Sequence, residues 1–165
     1  MTNPVRNPVR KRNRLPDFDY STPNAYFLTI CTAQRKNLLW DAVGATIGRP
    51  HELQLSPAGE IVQAAIAAIP EHYPACVVEH SVIMPNHVHL LLRIRADENG
   101  RPMVAPTVST VVAQMKGVVT KRLGRSIWQK GFHDHIVRTE NDFWDIWQYI
   151  EANPFRWAED SLYTP

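Results

Sequence analysis

Four short segments rich in aromatic and β-branched residues predict β-strands, and three longer segments show the spacing of amphipathic helices. The strand segments are 25–31, 75–83, 87–94 and 132–138. The sequence Met84-Pro85-Asn86 has the composition of a tight turn, so it is expected to join the second and third strands into a β-hairpin.

Each predicted helix has an apolar face. The first begins at Ser56-Pro57, which supply an N-cap side chain and a proline in the first turn, and Pro70 is expected to end it. Thr139 is expected to cap the third, and Pro154 to stop it near Asn153. The apolar faces consist of Ile61, Val62, Ala65, Ile66 and Ile69 in the first helix, Val108, Val111, Val112, Met115, Val119 and Leu123 in the second, and Phe143, Ile146, Trp147 and Ile150 in the third.

The predicted order is β-α-β-β-α-β-α, and its first six elements match the ferredoxin-like arrangement. We therefore expect an α+β fold with an antiparallel four-stranded sheet, two helices on one face and a C-terminal helix. Residues 1–22 combine prolines, asparagines and a basic cluster, which is typical of a flexible arm. Residues 23–165 are expected to form a single domain.

The net charge of +2 hides a segregated distribution. Residues 1–14 hold five basic and no acidic residues, and residues 116–138 hold six basic residues and one acidic residue. Such segregation favours a polyanionic partner, although a solubilising tail and a solvated helix face would give the same pattern.

The pattern of apolar residues argues against two classes of protein, those that span a membrane and those that are secreted. No apolar run approaches the roughly 18 residues that a membrane span needs, and the basic N-terminus lacks the apolar core of a secretory signal. Cys31 and Cys76 lie in apolar strand segments, so we expect buried thiols and a reducing, cytoplasmic location.

His87 and His89 alternate with Val88 on a predicted strand, so both imidazoles project from one face of the sheet. Two such rings can converge on one cation. The alternative is a pair of partly exposed histidines on an open sheet face. A second pair, His133 and His135, competes for the metal role.

Tyr149 and Asn153 lie four residues apart, on a flank of the last helix at the boundary of its apolar face. There the phenol can face a site, and the amide oxygen is an acceptable ligand for a hard cation. The alternatives are an aromatic at the edge of the core and an asparagine that ends a helix before proline.

These motifs together resemble the REP-associated branch of the single-tyrosine transposases, whose H-U-H signature has a bulky apolar residue between two histidines. The resemblance covers about residues 24–158. The residues that carry it are Met84-Pro85-Asn86-His87-Val88-His89-Leu90-Leu91-Leu92, Trp128-Gln129, Gly131-Phe132, Asp134-His135, Tyr149-Ile150 and Asn153-Pro154.

The resemblance implies that His87, His89 and Asn153 bind a divalent metal, Mg²⁺ or Mn²⁺, and that Tyr149 is the nucleophile. Attack by the phenol on a phosphodiester would give a 5′-phosphotyrosine and a free 3′-hydroxyl, which allows strand transfer. The base that activates Tyr149 is not identified by the sequence. Metal binding needs neutral imidazoles. If the two histidines have the ordinary pKa of about 6.5, activity is expected to fall below that pH.

The implied substrate is single-stranded DNA folded into a REP-type palindromic hairpin, and the implied location is the cytoplasm, in association with the nucleoid. A non-catalytic single-stranded nucleic-acid-binding domain and a phosphodiesterase that uses water are the alternatives, and monomer and homodimer both stay open. The residues expected to bind DNA phosphates are Arg10, Lys11 and Arg12 in the arm and Lys116, Lys121, Arg122 and Arg125 around the second helix.

Overall fold

A computed structural model describes residues 22–41, 54–96 and 106–164 of the chain. Their strands are β1 (Asn24–Cys31), β2 (Cys76–Ile83), β3 (His87–Ile94) and β4 (His133–Val137). Their helices are α1 (Pro57–Ala67), α2 (Ile69–His72), α3 (Val108–Leu123) and α4 (Glu140–Ala152), with 3-10 turns at Ala33–Arg35 and Asn153–Glu159.

The four strands form one antiparallel sheet in the order β2-β3-β1-β4. This order and the two helical crossovers are those of the ferredoxin-like fold, so the predicted α+β class is confirmed. The predicted hairpin is also confirmed, since β2 pairs with β3 across the turn at Met84-Pro85-Asn86.

The sheet has helices on both faces. α1 and α3 pack against the face that presents Val88, Leu90 and Leu92, as the alternation along β3 predicts. α4 packs against the opposite face, where Ile146 and Ile150 contact Leu91. The main core, between the sheet and the first two large helices, contains Tyr26, Leu28, Ile30, Val62, Ile66, Val88, Leu90, Leu92, Val111, Met115 and Val119.

Side-chain caps begin the three large helices, and the caps of α1 and α4 are the predicted ones. Ser56 accepts a hydrogen bond from the backbone N–H of Gly59, Thr107 from that of Thr110, and Thr139 from that of Asp142. Gly59 is required for packing, because a Cβ there would lie 2.1 Å from the carbonyl oxygen of Leu39.

The predicted end of α4 near Asn153 is confirmed, whereas α1 ends about one turn before the predicted Pro70. α1 ends at Ala67, and Pro70 lies in the first turn of the short helix α2. α4 ends at Ala152, and Pro154 lies in the first turn of the 3-10 segment that follows. Proline in a first turn loses no helical hydrogen bond, so each proline begins a new short helical segment.

Residues 1–21, 42–53, 97–105 and 165 lie outside the described residues, and with them most of the predicted arm. Within the described ranges, none of the helices is both long and apolar enough to cross a membrane. Cys31 and Cys76 are buried and not joined in a disulfide, as expected.

Candidate metal and nucleophile site

His87 and His89 lie side by side on β3, on the face of the sheet that α4 covers. Both are buried, with 0% and 3% of their surface exposed. The alternative of two partly exposed histidines on an open face is therefore wrong. The last helix and the residues after it cover this end of the sheet.

Hydrogen bonds orient the two imidazoles toward each other. Nδ1 of His87 lies 2.8 Å from the amide oxygen of Asn86, which can only accept, so this nitrogen carries the proton. Nε2 of the neutral His87 ring therefore presents a lone pair. It lies 3.0 Å from Nε2 of His89, whose Nδ1 is 3.0 Å from the hydroxyl of Thr29.

Both imidazoles are neutral at neutral pH. Burial lowers the pKa of His87 to about 4, with Asp160 opposing and Arg35 reinforcing the shift. Burial also lowers the pKa of His89 to about 3, aided by His87. The expectation that these histidines protonate near pH 6.5 is therefore wrong, because it assumed exposed rings.

Tyr149 is on the side of α4 that faces this pair. Its hydroxyl oxygen lies 3.4 Å from Nε2 of His89, and its ring packs edge-on against Phe27 at 5.9 Å between centroids. The residue is 46% exposed, so the hydroxyl is reachable from solvent. Burial raises the pKa of Tyr149, and the charge of Asp160 raises it further, so the phenol is protonated at rest.

Asn153 follows α4 directly and is 5% exposed. Its amide nitrogen donates to Oδ2 of Asp160 over 3.1 Å. Its amide oxygen Oδ1 is buried and meets no hydrogen-bond donor among the described residues. A buried carbonyl oxygen without a donor is costly in a folded protein unless something else coordinates it.

Asp160 joins the site from the 3-10 turn after α4, and the sequence does not predict it. One ligand atom from each of His87, His89 and Asp160 lies within 4.8 Å of the others. Oδ2 of Asp160 is 4.0 Å from Nε2 of His87. Asp160 lies outside the regular helices and strands. Neither helical nor strand periodicity in the sequence could therefore indicate that it faces the histidines.

The C-terminal segment, residues 153–164, is fastened beside the histidines. The amide nitrogen of Asn86 donates to the carbonyl oxygen of Leu162 over 2.8 Å and lies 3.2 Å from the hydroxyl of Thr164. The ring of Trp157 lies 5.8 Å from that of His87. A surface cleft of about 530 Å³, lined in part by Tyr149, Asn153 and Asp160, opens beside this segment.

The competing pair on β4 does not join the site. His133 and His135 are exposed, and Nε2 of His135 lies 2.9 Å from the carboxylate of Asp142. That contact lowers the pKa of Asp142. Among the described residues, His133 and His135 belong to no group of ligands that could hold a metal.

The basic residues predicted to bind DNA divide into three groups. Arg10, Lys11 and Arg12 lie outside the described residues. Lys121, Arg122 and Arg125 are exposed at the end of α3 and just beyond it.

Lys116 forms the third group, because it is half-buried. Its ammonium donates to the carbonyl oxygens of Gln129 and Gly131 and lies 5.9 Å from the ring of Trp128. Trp128 itself is 8% exposed and belongs to the core, so it is not available to stack on a base. Lys116 therefore joins α3 to the loop that precedes β4 as well as lending charge to the surface.

Comparisons with known proteins agree with the geometry. No protein-family model matches the chain. An uncharacterised protein of Haemophilus influenzae is 28% identical over 93% of each chain. A second protein of that organism, named "Putative REP-associated tyrosine transposase", is 22% identical over 84% of this chain and 74% of its own.

A solved structure of a REP-associated tyrosine transposase bound to a REP hairpin has the same fold. It superposes with a TM-score of 0.60 at 20% identity, over 82% of this chain and 68% of that one. The resemblance to REP-associated tyrosine transposases that the motifs indicate is therefore confirmed.

Proposed function

We propose that this chain is a metal-dependent single-stranded DNA endonuclease and strand transferase that acts on REP-type hairpins through a 5′-phosphotyrosine. The observation that carries the proposal is the Tyr149 hydroxyl, 3.4 Å from Nε2 of a buried histidine pair. Residues 23–165 would form the catalytic domain and residues 1–22 a basic arm. An enzyme of this kind would work in the cytoplasm, in association with the nucleoid.

The donor set fits a divalent cation such as Mg²⁺ or Mn²⁺. Adjacent ligands of an octahedral ion are about 3.0 Å apart for bonds of about 2.1 Å. The two Nε2 atoms have this separation of 3.0 Å. The unpartnered Oδ1 of Asn153 supplies a third donor. When bound, the ion would polarise a non-bridging phosphate oxygen and orient the scissile bond.

Surrounding residues hold these ligands in place. Asn86 keeps the proton of His87 on Nδ1, so that Nε2 stays free to coordinate. The hydroxyl of Thr29 lies 3.0 Å from Nδ1 of His89 and holds that ring in place. Because burial keeps both rings neutral, a cation would not have to compete with a positively charged imidazole.

Tyr149 would act as the nucleophile. Its oxygen forms a bond to phosphorus while the bond from phosphorus to the 3′ oxygen breaks, and the 3′ oxygen leaves as a hydroxyl after taking up a proton. Because the phosphotyrosine conserves the ester, the 3′-hydroxyl of another strand can attack it and release Tyr149. The raised pKa of Tyr149 means that its proton must be removed during attack.

The basic surface would hold the hairpin. Lys116, Lys121 and Lys130 line a shallow depression on the surface. Arg122 and Arg125 are exposed at the end of α3 and just beyond it. Hydrogen bonding links this depression to the end of β1 that pairs with His87. Gln129, whose carbonyl oxygen accepts from Lys116, donates to Cys31, and Cys31 pairs with His87 in the sheet. Arg10, Lys11 and Arg12 of the arm would add phosphate contacts.

A covalent-adduct assay tests the proposal. Labelled single-stranded hairpin DNA is incubated with the protein and Mn²⁺ and then denatured in detergent. We expect a covalent protein–DNA adduct that Tyr149→Phe abolishes and that the control Tyr73→Phe, at a tyrosine on the other face of the sheet, retains.

The alternatives give different results in the same assay. Cleavage without an adduct would indicate a water-using phosphodiesterase. Binding without cleavage would indicate a non-catalytic binding domain. The structure disfavours the latter, because such domains stack bases on an exposed sheet face. Here α4 packs against that face.

A further inference from the structure

We propose that Asp160, in the C-terminal segment, is a further ligand of the metal, so that this segment forms one wall of the metal site. The proposal rests on the metal role of His87 and His89 proposed above. It adds a carboxylate that no motif in the sequence marks.

The distances suit coordination. Oδ2 of Asp160 lies 4.0 Å from Nε2 of His87, and the three ligand atoms lie within 4.8 Å of one another. Opposite ligands of an octahedral ion are about 4.2 Å apart and adjacent ones about 3.0 Å. One cation between the two histidines therefore needs only a small movement of the carboxylate to be bound by all three.

The charge of Asp160 lacks a partner. Its side chain is 3% exposed, and the only ion-pair contact it makes among the described residues is with His87. Among the described residues, no lysine or arginine nitrogen lies within 4.0 Å of the carboxylate oxygens of Asp160. A buried carboxylate without a cation is strongly disfavoured, and a bound metal ion would supply the missing positive charge.

Hydrogen bonds hold the carboxylate in position. The backbone N–H of Leu162 donates to Oδ1 over 2.7 Å, and the amide of Asn153 donates to Oδ2 over 3.1 Å. The carbonyl of Leu162 in turn accepts from Asn86, the residue that orients His87. Asn86 thus fixes one histidine and the segment that carries Asp160, as outer-shell residues of metal sites commonly do.

Mn²⁺ binding to the full chain tests the proposal. We expect Asp160→Asn, which keeps the shape and an accepting oxygen, to weaken Mn²⁺ binding about tenfold or more in calorimetry. The matched control is Glu151→Gln, which removes an exposed charge on α4 outside the segment, and it should leave the affinity unchanged. Equal Mn²⁺ affinity in wild type and Asp160→Asn would overturn the inference.

Thermal unfolding of the same proteins separates a folding defect from a missing ligand. Without metal, Asp160→Asn should melt at the temperature of wild type or above it, because an unpaired buried charge is gone. Added Mn²⁺ should raise the melting temperature of wild type and raise that of the variant less. A wild type that binds no Mn²⁺ contradicts the proposed function itself. A variant that binds as wild type does contradicts only the role of Asp160.

Discussion

The hydroxyl of Tyr149 and Nε2 of His89 lie 3.4 Å apart, although sixty residues separate them along the chain. The contact exists because α4 packs across the face of β3 from which His89 projects. The proposed nucleophile and the proposed ligand pair are thereby brought together within one chain. Asn153, the third proposed ligand, joins them through its hydrogen bond to Asp160.

Removing the Asn153 side chain should weaken the site. We expect Asn153→Ala to reduce Mn²⁺ affinity and adduct formation about tenfold, since it removes both the Oδ1 donor and the hydrogen bond to Asp160. Calorimetry and the adduct assay measure the two effects. Gln148→Ala, an exposed residue lining the same cleft, is the control. Unchanged Mn²⁺ affinity in Asn153→Ala would contradict a ligand role.

The hydroxyl of Thr29 should affect metal binding through its contact with His89, although it does not itself bind the metal. Thr29→Val keeps the shape of the side chain but removes the partner of Nδ1. We expect a loss of Mn²⁺ affinity of roughly tenfold, the low end of what outer-shell substitutions cost. Thr120→Val on α3 controls for the change of residue type. An affinity equal to that of wild type would show that Thr29 does not orient the ring.

Stability should fall in acid because of the buried histidines. Their folded-state pKa values of about 4 and about 3 lie below the ordinary 6.5, so the unfolded chain binds protons that the folded chain does not. The free energy of unfolding is therefore retained above about pH 6.5 and decreases as the pH falls toward 4. We expect a loss of roughly 2–4 kcal/mol by pH 5, measured by urea unfolding without metal.

Substitutions distinguish the contribution of the buried histidines to this pH dependence from that of the carboxylates and the other histidines. His89→Gln should flatten the dependence between pH 6.5 and 4, whereas His133→Gln, at an exposed histidine, should not. An acid dependence that persists unchanged in His89→Gln would mean that other groups cause it.

The exposed basic residues beyond α3 should govern the salt dependence of hairpin binding. Neutralising Lys121, Arg122 and Arg125 together should weaken binding. It should also make the decrease of log affinity with log salt less steep. The slope should fall by about 0.7 to 0.9 for each DNA phosphate that the variant no longer neutralises. Neutralising Arg10, Lys11 and Arg12 should act likewise. Fluorescence anisotropy at several salt concentrations measures the slope. A slope equal to that of wild type in both variants would show that these charges do not bind DNA.

Local patterns were sufficient for the strands, the helix caps and the side of β3 from which the histidines project. Alternation along β3 determines that His87 and His89 share a face, and Ser56 and Thr139 begin α1 and α4 with the side-chain caps that the sequence predicts. Such features depend on neighbouring residues only.

Features that depend on packing between distant segments were not predictable in this way. The burial of His87 and His89 results from α4 and the C-terminal segment, which no periodicity along β3 can indicate. Asp160 reaches the site because the chain turns after Ala152 into an irregular segment. Trp128 is in the core, although the two residues that follow it, Gln129 and Lys130, are polar and basic.

Mapping the covalent adduct tests the central claim most directly. Hairpin DNA cut by the wild-type protein in Mn²⁺ is digested together with the protein, and the peptide that carries the nucleotide is identified by mass spectrometry. The account predicts a 5′-phosphate ester on Tyr149. A nucleotide attached to any other residue, or complete cleavage with no modified peptide, would contradict it.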